Sequence, residues 1–135
     1  MVVTGESVMG LDMYLNGRRF FMKDKFNEEG DRVSEERIDL GYWRKHPNLH
    51  GYIVDQFADG EDDCRPIELS VENIQQIADA VANKKLEKTE GFFFGISDES
   101  DEQIKEDLKI MGQAIAWLSK KEEGEFRSVI YQASW

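Results

Sequence analysis

The first alternation of apolar and polar positions falls at Leu11, Met13 and Leu15, with Asp12 and Tyr14 between them. A period of two is the mark of a half-buried strand. Asn16-Gly17 follows, a strong two-residue turn signal because both positions tolerate positive φ. The pattern therefore predicts a hairpin whose return strand spans residues 18–22. Residues 23–36 are mostly charged and read as a mobile excursion or a long hairpin loop. Ile38, Leu40 and Tyr42 resume the alternation and predict a third strand.

The period then changes. Pro47 suits the first turn of a helix, and Leu49, Tyr52, Ile53 and Phe57 recur at helical spacing. Gly51 weakens that helix by about 1 kcal/mol relative to Ala, which predicts a short one. Residues 58–65 form an acidic turn, and residues 66–69 a short strand placed at an edge by Pro66. Ser70 is a good N-cap for a second helix with Val71, Ile74, Ile77, Ala78 and Val81 as its stripe. Lys84, Lys85 and Lys88 would complement the end of its dipole, as Glu72 does the start. Gly91-Phe92-Phe93-Phe94-Gly95 reads as a buried strand between glycine breaks. A third helix runs through Ile104, Leu108, Met111, Ile115 and Leu118, opened by a capping box of Ser100 with Gln103 and stopped by Gly124. Residues 126–132 form a last strand, and Trp135 is expected to dock against the sheet. The sum is an α+β fold: a mostly antiparallel sheet of five to six strands with three helices packed on one face.

At 135 residues this is one domain, here residues 9–135, with residues 1–8 as an N-terminal extension. No apolar run reaches the ~20 residues of a membrane helix, and residues 1–8 lack the pattern of a cleavable signal. The single cysteine excludes an intramolecular disulfide and fits a reducing cytoplasm. The formal charge of −11 argues against direct nucleic-acid binding. That charge is uneven. Residues 1–51 hold 9 acids and 8 bases, and residues 52–135 hold 19 acids and 9 bases. The first part can therefore still receive an anion, while the second has a solvated acidic face or presents it to a basic partner.

The densest polar-aromatic stretch is Tyr42-Trp43-Arg44-Lys45-His46-Pro47-Asn48-Leu49-His50, at a junction between strand and helix. Such junctions expose backbone N–H groups suited to anions. Arg44 and Lys45 add charge-assisted donors, and Trp43 or Tyr42 offers a stacking face, unless one of those aromatics is core. His46 and His50 are four apart and on a helix could face one metal, with Cys64 or Asp62 completing the site. A zinc-protease helix would need Glu where Pro47 stands, so an N-cap His46 and a partly exposed His50 are the favoured reading, with no metal and no cofactor. Cys64 lies between acids and Arg65, which leaves the sign of its pKa shift open. The acidic run of residues 59–63 does not follow the ligand order of a calcium loop.

Several of these motifs occur together. Met9-Gly10-Leu11-Asp12-Met13-Tyr14-Leu15, Gly41-Tyr42-Trp43-Arg44-Lys45, His50, Gly91-Phe92-Phe93-Phe94-Gly95 and Tyr131-Gln132-Ala133-Ser134-Trp135 resemble a family of small bacteriophage- and prophage-encoded proteins of unknown function. The resemblance spans roughly residues 9–135 and implies a phage accessory protein in a bacterial cytoplasm. It carries no reaction with it. It does single out Asp12, Tyr14, Tyr42, Trp43, Arg44, Lys45, His50, Gln132 and Trp135 as polar or amphipathic residues that a sheet could gather into one ligand site. The leading expectation is non-enzymatic binding of a small anionic or nucleotide-like ligand, such as a host defence signal to be sequestered. One alternative is an acidic interaction protein, or nucleic-acid mimic, occupying a basic host enzyme. Another is a small hydrolase using His46 or His50. The sequence does not define the oligomeric state.

Overall fold

Seven elements follow one another in a computed structural model that describes residues 10–89 and 97–135. Strands β1 (Asp12–Phe21) and β2 (Glu35–Arg44) are followed by helix α1 (Pro47–Phe57), strand β3 (Ile67–Leu69) and helix α2 (Val71–Ala82). Helix α3 (Asp101–Ser119) and strand β4 (Glu125–Ser134) complete the chain. The strands form one sheet in the order β2-β1-β4-β3, and every pairing is antiparallel. The α+β class and the three helices agree with the reading of the sequence.

The described residues hold four strands against the five to six expected, and the first hairpin accounts for one of them. Asn16-Gly17 does not turn the chain. Gly17 lies inside β1, paired with Ile38 on one side and Val129 on the other. Its lack of a side chain serves packing: a Cβ there would stand 2.8 Å from the Trp117 ring of α3. The expected first two strands are thus a single central strand, and residues 22–34 make the hairpin connection to β2. The expected strand at residues 91–95 lies outside the described residues, as does the extension at residues 1–8. Four strands remain among the described residues.

Alternation sorts the sheet into two faces. Met13, Leu15, Trp43, Val129, Tyr131 and Ala133 are buried in the core with Leu49 and Ile53 of α1, Ile74 and Ile77 of α2, and Ile110 and Met111 of α3. Tyr14, Tyr42, Phe126 and Gln132 are exposed on the opposite face. The pairing of β1 with β2 shifts register between Leu15 and Asn16, so Leu40 is an extra, bulged residue and packs against the core.

The helix ends show where local rules hold. Ser70 and Asn73 form a reciprocal capping box at the start of α2. At α3 only half of the expected box is present. Ser100 accepts from the Gln103 backbone N–H at 3.2 Å, but the Gln103 amide turns inward to Asp107 at 2.7 Å. Asp98 takes the vacated role and accepts the Ser100 N–H at 2.8 Å, which holds the Asp98 carboxyl below its ordinary range. Lys84, Lys85 and Lys88, expected near the end of α2, lie just beyond its last residue, Ala82. Gly124 does not end α3, which stops at Ser119; it turns the chain at positive φ into β4. Gly51 in α1 is explained by close approach, since a Cβ would collide with Thr89. No helix among the described residues is long and apolar enough to cross a membrane.

Candidate functional site

Helix α1 starts where β2 ends, and that junction builds two separate networks. Lys45 adopts positive φ and donates its N–H to the Leu11 carbonyl at 2.8 Å, which turns the chain off the sheet. His46 follows as the N-cap of α1, with Pro47 opening the helix. One turn later comes His50. Both imidazoles are buried, His50 contrary to the expected partial exposure.

In the first network His46 Nε2 lies 2.8 Å from Asp107 Oδ2, and His46 Nδ1 lies 2.8 Å from the Ser97 hydroxyl. Asp107 is 1% exposed, and its other oxygen accepts from Trp43 Nε1 and from Gln103 Nε2, both at 2.7 Å. A carboxylate saturated by donors stays a pure acceptor, so the proton of a neutral His46 sits on Nε2 and Nδ1 accepts from Ser97. The Ser97 oxygen in turn accepts the Asn48 backbone N–H at 3.0 Å and so satisfies one orphan donor of α1. The Asn48 side chain receives the Thr89 N–H at 2.8 Å and donates to Glu99 at 3.2 Å.

In the second network His50 Nε2 lies 2.8 Å from Asp62 Oδ1, and His50 Nδ1 lies 2.6 Å from the Tyr131 hydroxyl. Trp135 stands edge-on to the same imidazole at 5.6 Å between centroids, so the expected docking of the last residue is present. Burial raises the Tyr131 phenol well above its ordinary value, and the Asp62 carboxylate adds to the shift. Burial likewise raises the Cys64 thiol, against the lowering by the Trp135 backbone N–H and with a lesser contribution from the Asp62 and Asp63 charges. A raised thiol is a poor nucleophile at neutral pH, which resolves the sign left open by the sequence. The two imidazoles turn to different partners and do not converge on a shared ion.

The nine candidate residues divide among four places, with Lys45 in the turn between β2 and α1. Asp12, Tyr14, Tyr42, Arg44 and Gln132 lie on the open face of the sheet or its margin. Tyr42 donates to Asp12 at 2.6 Å, a bond that raises the Tyr42 phenol, and its ring lies 5.3 Å from that of Tyr14. Gln132 donates to the Cys64 carbonyl at 3.1 Å. His50 and Trp135 belong to the second network, behind the sheet. Trp43 is 4% exposed and committed to Asp107, so its ring offers no stacking face, whereas Tyr42 is 51% exposed.

Two cavities meet at His46. One of about 330 Å³ is lined by residues 42–46 of the junction, by Asp98 and by Gln103 and Glu106 of α3. The other, of about 280 Å³, is lined by His46, Asn48 and Asp107 and by the apolar Val81, Leu86 and Ile104. The sequence reading missed Asp107, although the signal was present: three after Ile104 and four before Met111, it is a charge on the buried stripe of α3. Ser97 carries no comparable local signal.

This geometry defines an α+β protein with a polar cleft where β2, α1 and the first turns of α3 meet. No family model, curated protein or solved structure matches the chain.

Proposed function

We propose that the chain binds a small anionic, nucleotide-like ligand in the cleft beside Tyr42, Arg44 and Lys45. The observation that carries this reading is the lining of the 330 Å³ cavity, which has the size of a small-molecule site. Arg44 and Lys45 supply donors for a phosphate. Asp98 and Glu106 are acceptors across the same space and suit the amino group of a purine or cytosine. Tyr42 is the exposed aromatic beside them, able to stack on the base. A ligand that is an anion at one end and a hydrogen-bond donor at the other satisfies both walls; a bare anion would face the carboxylates unfavourably.

In a phage accessory protein, as the sequence resemblance implies, such binding would sequester a host signalling nucleotide. Calorimetry of the full chain against nucleoside monophosphates and cyclic nucleotides tests the reading. At least one should bind, and Arg44→Ala with Lys45→Ala should weaken it by about tenfold or more, the loss of a charge-assisted contact. Absence of binding to every nucleotide, or unchanged affinity in the double variant, rejects it.

A further inference from the structure

We propose that Ser97, His46 and Asp107 form a hydrolytic centre for small esters with short apolar acyl groups. The proposal is independent of nucleotide binding, although the two cavities share His46 and Asp98. Its basis is the unbroken chain Ser97 Oγ–His46 Nδ1 at 2.8 Å and His46 Nε2–Asp107 Oδ2 at 2.8 Å. These are a nucleophile, a base and a carboxylate that orients the base, each at hydrogen-bond reach of the next. The ring nitrogens are used in the reverse order from the serine proteases, but the roles require only that one nitrogen face the alcohol and the other the carboxylate.

Three features distinguish this chain from a simple buried bridge. Asp107 is gripped by Trp43 and Gln103, so the imidazole it orients is fixed in one tautomer. The Asn48 N–H, in the first turn of α1, donates to Ser97 Oγ at 3.0 Å and fixes that oxygen beside His46. His46, Asn48 and Asp107 line the 280 Å³ cavity whose wall of Val81, Leu86 and Ile104 suits a short acyl chain. Asp98 and Glu99, next to Ser97 in sequence, line it too.

The reaction balances without a co-reactant other than water. Ser97 Oγ attacks the ester carbonyl carbon while its proton passes to His46 Nδ1, and Asp107 stabilises the imidazolium. Collapse of the tetrahedral intermediate breaks the bond to the alcohol, which leaves with the proton from Nδ1. Water then loses a proton to the same nitrogen and attacks the acyl-serine. Its ester bond breaks, the acid is released and Ser97 recovers its proton.

The test uses the wild-type full chain with a fluorophosphonate probe, followed by peptide mass mapping, and with 4-nitrophenyl acetate and butyrate as substrates. A single adduct on Ser97 is expected, with turnover that falls by about 100-fold or more in Ser97→Ala. No adduct, an adduct on another residue, or equal turnover in Ser97→Ala overturns the proposal. The labelling needs no variant, so it decides even if Ser97→Ala fails to fold. Asp107 acts as a positioning residue. Asp107→Asn should move the rising limb of the pH–rate profile to lower pH, because a neutral amide no longer favours the imidazolium; an unmoved limb removes Asp107 from the mechanism.

Discussion

His46 and His50 sit one helical turn apart and make the same two bonds, Nε2 to a carboxylate and Nδ1 to a hydroxyl. Their surroundings differ at both ends. Asp107 is 1% exposed and holds two further donors, whereas the Asp62 side chain is 30% exposed on the turn before β3. Ser97 is an aliphatic alcohol, while Tyr131 is a phenol in the core, 1% exposed and reluctant to ionise. Both imidazoles line cavities, His46 one of about 280 Å³ and His50 one of about 440 Å³, so the two motifs differ in the chemistry of their partners and not in access. What a histidine can do is set by what its partners can do.

The comparison is broken most severely at the carboxylates. Asp107→Ala leaves the buried Trp43 and His46 donors, and that of Gln103, without their shared acceptor and should cost about 3–5 kcal/mol. Asp62→Ala exposes His50 Nε2 to a turn that water reaches and should cost about 1 kcal/mol. Urea unfolding of both variants measures the gap, and equal losses would mean that the two sites are equally sealed. Tyr131→Phe comes next: it keeps the ring in the core and leaves His50 Nδ1 without its hydroxyl, at about 1–3 kcal/mol by the same unfolding assay.

The smallest effect at neutral pH is the last. The folded chain holds the Tyr131 proton above the pH at which the unfolded chain releases it. Its contribution is therefore complete below the ordinary phenol value of about 10 and is lost as pH rises through the higher folded value. Ultraviolet titration should show a phenol ionising well above the ordinary value, and that late step should vanish in Tyr131→Phe.

Much of the fold was legible because local signals and packing agreed. Ser70 caps α2, Pro47 opens α1, and the residues after Pro66 form an edge strand, each for the reason its chemistry suggests. Asn16-Gly17 misled because the same glycine that permits a turn also permits a close approach, and the ring of Trp117, a hundred residues away, decides between them. The site was legible only in part. Tyr42, Arg44 and Lys45 do meet, as their adjacency suggested. Ser97 and Asp107 reach His46 through pairings more than fifty residues apart in sequence, which no local pattern encodes. Trp43 shows the converse: an amphipathic ring looks like a ligand platform until a buried acceptor claims its N–H.

The embedded Asn16-Gly17 step has a consequence for the chemical ageing of the chain. An Asn-Gly sequence deamidates when the glycine nitrogen swings onto the asparagine side chain and closes a succinimide, a movement that needs a loose backbone. Here both residues are paired to a strand on each side, and extended pairing holds that nitrogen away from its target. Deamidation at Asn16 must wait for β1 to come out of the sheet, and β1 is the central strand joining β2 to β4. The slow gain of a negative charge at that one position thus becomes a clock for how often the middle of the sheet opens.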